Sequence, residues 1–262
     1  MNSRKKINET ILKESKVIED VLNNNLLLTF GRMHNIKDDF NLFDIKQEVV
    51  ASKGYFLDVK KKYCLHITNS EGEEVDELFI RGLITQRSDY PSLTKERLMT
   101  IIHMLVEEET PSFVKIKEFI DKTRLEITKL VKEGNITISR PVSYKKNLKD
   151  YSAKSLPFQI KAMELWNKAE YQHFMKGTRG YCFSILGIDR EKAPQKVKDV
   201  FENQSFDRIA IPQVNGAKLP SYYITDAKSQ VEFSWDNRIN EFIRPIVKNL
   251  YDISTESDLI TF

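Results

Sequence analysis

The sequence has few of the residues that disulfide-linked, metal-binding or membrane-spanning proteins need. Only two of its 262 residues are cysteine, Cys64 and Cys182, and they lie far apart in apolar runs. Two cysteines without a CxxC spacing argue against a zinc site, so we expect two buried thiols in a reducing compartment. The four histidines are scattered and suggest no ligand set.

Long apolar runs are also missing. No run approaches the ~20 residues that a helix needs to span a bilayer. The first 25 residues carry charges throughout and do not form a secretory signal. We therefore expect a cytoplasmic protein with no membrane partner.

The overall charge balance excludes few classes of protein function. The formal net charge is +3, with 40% hydrophobic and 30% charged residues, which is an ordinary soluble composition. Any nucleic-acid surface must then come from the local distribution of charge. The length suits one large domain or two smaller ones.

The first third of the chain shows the pattern of one helix followed by a small sheet. Apolar residues at helical spacing predict an amphipathic helix over residues 4–24 that ends near Asn23–Asn25, followed by a polar loop over 31–39. Strand patterns follow at 44–50, 63–67 and 78–80, with turn residues at 69–72. One helix covers little of such a sheet, so we expect this part to complete itself against another chain.

The pattern changes near residue 88 and becomes mainly helical. Helices are predicted at 93–109 and 113–133, with Ser112 as N-cap and Gly134 as C-cap. The later predictions are a strand at 136–138, a basic polar stretch at 140–154, a helix at 157–170 that starts with Pro157, a strand at 181–186, a helix at 194–202, a strand at 208–211 and a helix at 236–250. We expect Trp166 and Trp235 to be core or interface residues.

Three motifs occur in a fixed order along the chain. They are Lys60-Lys-Lys-Tyr-Cys-Leu-His-Ile67 before the turn 70–72, Phe79-Ile-Arg-Gly-Leu-Ile-Thr-Gln-Arg-Ser-Asp-Tyr-Pro91, and Arg140-Pro-Val-Ser-Tyr-Lys-Lys-Asn-Leu-Lys-Asp-Tyr151 before Leu156-Pro-Phe-Gln-Ile160. Together they resemble the C-terminal third of family B DNA polymerases, most closely the T-even-phage type, over roughly residues 45–262.

The resemblance implies an α+β fold. Residues 1–88 would form the end of the palm, a partial antiparallel sheet with one helix. Residues 89–251 would form a mainly helical thumb with a few short strands, and 252–262 a flexible tail. Such a chain would grip double-stranded primer-template DNA during DNA-directed DNA synthesis, a nucleotidyl transfer, in the host cytoplasm if it is phage-encoded.

The motifs that would hold the catalytic metals are missing from the sequence. Polymerase chemistry needs two metal ions held by aspartates, which the family takes from Asp-x-x-Ser-Leu-Tyr and Asp-Thr-Asp motifs. Neither occurs here, and Asp38-Asp39 matches neither. The resemblance thus implies no catalytic residue on this chain, inactivity alone, and Mg held mainly by an N-terminal polymerase fragment. Together with Met1, this suggests the C-terminal subunit of a split polymerase.

The resemblance assigns DNA contacts to residues of all three motifs. They are Lys60, Lys61, Lys62, Tyr63, Arg81, Gly82, Arg87, Ser88, Arg140, Ser143, Lys145, Lys146, Lys149 and Lys154. Basic groups on a strand facing a groove contact phosphates and minor-groove acceptors, and a glycine permits close approach to a phosphate. The family usually has Arg where Lys62 stands, and Lys does not make the same bidentate contacts. The alternative is a set of solvated surface charges.

Two further assignments follow from the resemblance. Glu48 and Glu71 match accessory carboxylates near the metal site, although surface glutamates are the alternative. Leu259, Ile260 and Phe262 end a polar tail and match a plug for a sliding clamp. Two alternative functions stay open: a non-enzymatic DNA-binding or clamp-tethering module, and an inert remnant of a broken gene.

Overall fold

The protein has an α+β fold made of two small antiparallel sheets and several helices, as predicted. The computed structural model describes residues 2–38, 44–57, 59–83, 90–106, 110–143, 156–171, 174–202, 205–214 and 217–251. The chain divides into two compact units. The first is Met1–Gly82 with Val106–Glu109, and the second is Leu83–Leu105 with Thr110–Phe262. The assignment of these parts to palm and thumb stays a prediction.

The first unit is a helix followed by a three-stranded sheet. Its elements are α1 (Asn2–Val21), a π-helical turn (Leu22–Leu27), α2 (Leu28–Met33), β1 (Val49–Phe56), β2 (Tyr63–Ser70) and β3 (Glu73–Arg81). The strands are antiparallel in the order β1-β2-β3. His66 at the centre links all three strands, because its two ring nitrogens lie 2.8 Å from Ser52 Oγ and 2.6 Å from Asp76 Oδ1.

The predicted end of the first helix at Asn23–Asn25 is wrong. The Asn23 side chain does not terminate the helix; it accepts a hydrogen bond from the Ile45 N–H at 2.8 Å and donates to the Ile45 carbonyl at 2.7 Å. The helix therefore continues through the π-helical turn to Met33 and buries Gly31, within the predicted loop. Asn23 fixes the segment before β1 against the helix.

The second unit contains the second sheet and most of the helices. Its elements are α3 (Ser92–Val106), α4 (Phe113–Lys132), a 3₁₀ turn (Ile136–Ile138), β4 (Arg140–Ser143), α5 (Phe158–Ala169), β5 (Arg179–Ile188), α6 (Gln195–Glu202), β6 (Arg208–Pro212), β7 (Tyr223–Thr225), α7 (Ala227–Val231), π-helical turns (Glu232–Asp236 and Ile239–Ile243) and α8 (Arg244–Tyr251). Strand β5 pairs antiparallel with β4, β6 and β7.

Several sequence predictions for this unit are confirmed at the level of single residues. The Ser112 hydroxyl caps α4 by accepting from the Lys115 N–H at 3.4 Å. Gly134 follows the helix with a φ of 65°, the left-handed conformation that favours glycine. Trp166 and Trp235 are both buried, and the Trp235 indole N–H donates to the Ile120 carbonyl at 3.2 Å.

One element prediction in this unit is wrong, and two predicted helices begin at other residues than predicted. Residues 136–138 form a 3₁₀ turn because the Asn135 side chain accepts from the Thr137 N–H at 2.9 Å, and the strand begins only at Arg140. Pro157 is the N-cap of α5 and does not lie in its first turn. The last helical segment begins at Ala227, where Asp226 accepts from the Ser229 N–H at 3.0 Å.

None of the helices in the described part of the chain is long and apolar enough to cross a bilayer.

Burial keeps the cysteine thiols protonated in the folded protein. It raises the pKa of Cys64 to about 11 and that of Cys182 to about 12, against roughly 8.5 for a free thiol. The unfolded chain then loses these protons at lower pH than the folded one. The stability they contribute is complete below about pH 8.5 and is lost as pH rises toward the folded values.

We expect the free energy of unfolding to fall between about pH 8.5 and pH 10, the range in which unfolded thiols ionise before unfolded tyrosines. Urea unfolding of the wild type and of the Cys64→Ala/Cys182→Ala double variant, at both ends of this range, measures the effect. In the double variant most of this decrease in the free energy of unfolding should be absent. An equal fall in both proteins would contradict a thiol origin.

Candidate nucleic-acid interface

The lysine turn, residues Lys60–Lys62, joins β1 to β2 at one end of the first sheet. It is closed by hydrogen bonds from the Leu57 N–H to the Lys62 carbonyl at 3.0 Å and from the Lys62 N–H to the Val59 carbonyl at 3.3 Å. Lys61 has a φ of 64°, which is uncommon outside glycine. Lys60 and Lys61 are exposed, so two ammonium groups lie at the tip of the hairpin.

Gly82 positions the end of β3 directly against this turn. A Cβ atom at residue 82 would lie 2.1 Å from the Lys61 carbonyl oxygen, and the glycine has a φ of 69°. No other residue fits without moving the Lys61 backbone. The close approach that this glycine permits in the structure is thus to the chain's own lysine turn, and it brings the first two sequence motifs together.

An aromatic row lies beside the lysine turn on one face of the sheet. Tyr63 pairs with Phe56 on β1 and with Arg81 on β3. Its ring centroid lies 5.4 Å from that of Phe56 and 6.1 Å from that of Phe79. Phe56 is 65% exposed and Phe79 is 42% exposed. This end of the sheet therefore combines exposed cations with exposed aromatic rings, a combination that suits nucleic acid or a partner surface.

The two predicted accessory glutamates lie together at the opposite end of the sheet. The Glu71 N–H donates to the Glu48 carbonyl at 2.7 Å, and both residues are exposed beside Glu73 and Glu74. The strands between the two ends have eight residues or more, which separates the glutamates from the lysine turn by roughly 25 Å. Their proximity to a metal site stays a prediction.

The third motif contributes a second basic site, in the other unit. Arg140 pairs with Cys182 across β4 and β5, and Arg208 pairs with Ser184 across β5 and β6. Directly paired residues point to the same side of a sheet, so both guanidinium groups lie on one face. The centroid of the Phe158 ring lies 5.3 Å from Arg140 Cζ and 4.4 Å from Arg208 Cζ.

Arg208 was not among the predicted DNA contacts. Its strand, 208–211, reads as an ordinary apolar run after one basic residue, and no local pattern shows which residue it pairs with. Ser143, the other described residue predicted in this motif, is exposed at the end of β4.

Several predicted site residues lie outside the described residues. They are Arg87 and Ser88, then Lys145, Lys146, Lys149 and Lys154, and finally Leu259, Ile260 and Phe262. Within the ranges that are described, no group of three or more His, Cys, Asp or Glu residues is arranged to hold a metal ion.

Comparison with known proteins finds similarity among solved structures. No family model matches the chain, and no curated protein matches it. The chain is similar to the structure of the family B DNA polymerase from the hyperthermophilic archaeon Pyrobaculum calidifontis, with 15% sequence identity and a TM-score of 0.46 over 84% of this chain. The similarity spans 24% of that polymerase chain.

The contact between Gly82 and Lys61 predicts a position-specific cost of adding one methyl group. Gly72→Ala is the control, because Gly72 also has a positive φ, of 95°, and nothing within 4 Å of its Cβ position. Gly72→Ala should lower the free energy of unfolding by about 1 kcal/mol, because alanine is strained at this positive φ. Gly82→Ala should lower the free energy of unfolding by at least about 2 kcal/mol more, because its new Cβ atom also clashes with the Lys61 backbone.

Hydrogen exchange of the β2 amides under native conditions measures the loss of stability of the first unit in both variants. Equal protection in the two variants would show that Lys61 and Gly82 do not touch.

Proposed function

We propose that the chain is the end of the palm and the thumb of a family B DNA polymerase, most similar to the T-even-phage type, and acts as a subunit. It grips primer-template duplex through the lysine turn and the basic residues of the third motif. A partner polypeptide, the N-terminal polymerase fragment, supplies the catalytic aspartates and most of the Mg ligands. The C-terminal residues bind a sliding clamp.

The observation that carries the proposal is the convergence of two motifs at one end of the first sheet. Lys60, Lys61 and Arg81 belong to separate motifs of the resemblance, and the backbone contact at Gly82 brings them to the same place. Cations at a hairpin tip suit contacts with the phosphates and minor-groove acceptors of a duplex, which differ little between base pairs. The resulting binding is independent of sequence, as a polymerase requires.

An exposed apolar stripe on α1 supports the need for a partner. Ile7, Ile11, Ile18 and Val21 recur three, four or seven residues apart and so share one helix face. They are 56%, 42%, 58% and 51% exposed, whereas the neighbouring face with Leu12 and Glu19 is partly buried. Apolar side chains exposed along one helix face mark an interaction surface. The proposed partner is the polypeptide that supplies the catalytic aspartates missing from this sequence.

Replacing Lys60 and Lys61 with alanine tests the DNA contact. Binding to duplex should weaken equally for all sequences, and the slope of log K against log salt should flatten by about two units, one for each phosphate that is no longer neutralised. Lys13→Ala/Lys16→Ala, on the opposite side of α1 from the apolar stripe, removes the same charge and should leave the slope unchanged. Fluorescence anisotropy over a salt series gives both slopes.

A slope unchanged by Lys60→Ala/Lys61→Ala would place the lysine turn in solvent and remove the main support for the proposal.

Primer extension tests the subunit role. The chain alone should extend no primer, because the metal-binding motifs are missing, while a mixture with an N-terminal fragment carrying the Asp-Thr-Asp motif should extend it. Ile18→Asp should weaken the association by about 2 kcal/mol, as removal of a central apolar anchor does, and Lys16→Asp on the other face should not.

Calorimetry of the two chains measures association separately from activity. Extension by this chain alone contradicts the proposal, as does a partner that binds Ile18→Asp as tightly as the wild type.

A further inference from the structure

The grip on duplex proposed above uses the lysine turn and not the aromatic row, Phe56, Tyr63 and Phe79. Neighbouring rings of the row are inclined to each other by 31° and 34°, which is closer to parallel than to edge-on. With centroids 5.4 Å and 6.1 Å apart, the arrangement is closer to offset stacking than to edge-to-face packing. Another flat aromatic group can extend such a stack.

The row lies on the side of the sheet that faces away from the core. Cys64 and Ile80, the strand neighbours of Tyr63 and Phe79, are buried, and successive residues of a strand point to opposite sides. Tyr63 and Phe79 therefore point away from the buried side, and Phe56 joins them because it pairs with Tyr63. Since β1 is an outer strand of this sheet, the 65% exposed Phe56 ring ends the row at the solvent.

A glycine on the same strand sets the position of the Phe56 ring. A Cβ atom at residue 54 would lie 2.6 Å from Leu65 Cδ2 and 3.3 Å from Phe56 Cε2. Gly54 thus leaves the room that the Leu65 side chain and the Phe56 ring occupy. Because the sheet itself positions this ring before a ligand arrives, binding loses less side-chain entropy.

Three cations lie at the same end of the sheet as the row. Lys60 and Lys61 are exposed in the lysine turn, and Arg81 is exposed opposite Tyr63, with which it pairs. Within the described part of the chain, none of these three side chains forms an ion pair or a hydrogen bond. Their charge is therefore available to a polyanion.

The combination of rings and cations favours a nucleic-acid strand over a protein partner. Lysine is depleted at protein interfaces, whereas aromatic rings beside exposed cations suit bases that are joined by phosphates. Bases inside a duplex are already stacked on both faces, so unpaired bases are the ones that offer a free face to the rings. Aromatic side chains on a sheet surface can stack two or three unpaired bases.

We propose that the aromatic row is a stacking site for the unpaired bases of a single-stranded nucleic acid, whose phosphates contact Lys60, Lys61 and Arg81. Every base has a π-face, so the site does not select a sequence. The site goes beyond the proposed function, which concerns paired DNA, and it does not need the partner polypeptide.

An oligothymidylate of about eight nucleotides and an abasic strand of the same length test the site on the full chain. The two strands carry the same phosphates, so a difference in affinity measures the contribution of the bases. Fluorescence anisotropy should show at least about tenfold tighter binding of the oligothymidylate, because stacking of one base has an effect of this size. The site is overturned if the wild type binds both strands equally.

NMR locates the bound bases in the wild-type protein without any substitution. The ring proton signals of Phe56 and Phe79 should shift when the oligothymidylate is added and should stay unchanged with the abasic strand. Base-dependent binding that leaves both ring signals unmoved would place the bases elsewhere and overturn the site.

Phe56→Leu removes the ring and keeps an apolar side chain. It should lower the affinity for the oligothymidylate about tenfold and leave that for the abasic strand unchanged, while Phe56→Trp should keep the wild-type affinity for both. Phe30→Leu is the matched control, because Phe30 is 48% exposed on α2 of the same unit and lies outside the row. A Phe56→Leu variant with wild-type protection of the β2 amides and wild-type affinity for the oligothymidylate would overturn the site.

A duplex separates this site from the proposed function. Phe56→Leu should leave duplex affinity unchanged, whereas Lys60→Ala/Lys61→Ala should weaken the binding of duplex and of single strand alike. Base-dependent binding of the oligothymidylate by a wild-type protein that binds no duplex would contradict the proposed function alone. Duplex binding together with equal affinity for the two single strands would contradict the stacking site alone.

Discussion

Strand β5 is the constraint on which the second unit depends, because it must pair with three strands within ten residues. Its first half pairs with β4 and β6, and from Ile185 onward its partner is β7. The change of partner leaves backbone groups to be satisfied near Ser184, and an unpaired buried N–H or carbonyl is costly. The buried side chain of Gln230 accepts from the Ser184 N–H and donates to the Ile138 carbonyl. One amide thus connects β5, the 3₁₀ turn and the last helical segment.

Several features of this fold that local chemistry decides were predicted correctly from the sequence. The cap at Ser112, the glycine at 134 and the hairpin at 69–72 are local, and all three are present. The error at the end of the first helix comes from a polar side chain with a distant partner. Asn23 looks like a helix terminator, yet it bonds to Ile45 more than twenty residues away.

The candidate sites could be predicted only in part for the same reason. Basic residues within one motif are visible as a group, and the lysine turn has its cations at the tip as that motif indicates. Arg208 is sixty-eight positions from Arg140 (208 − 140). Only the pairing of β4 and β6 with the same strand brings both to one face. The contact of Gly82 with Lys61 is equally invisible, because a glycine in a sequence does not show which backbone approaches it.

The two ends of the first sheet carry opposite charge. Lysines and Arg81 occupy one end, and Glu48, Glu71, Glu73 and Glu74 occupy the other. Such a separation gives this unit an electric dipole moment along its strands, and a dipole experiences a torque in the field of a polyanion before any atoms touch. The lysine end would turn toward the polyanion while the glutamate end is repelled. Encounter would then select one orientation of the sheet from many, and added salt would weaken that selection along with the attraction.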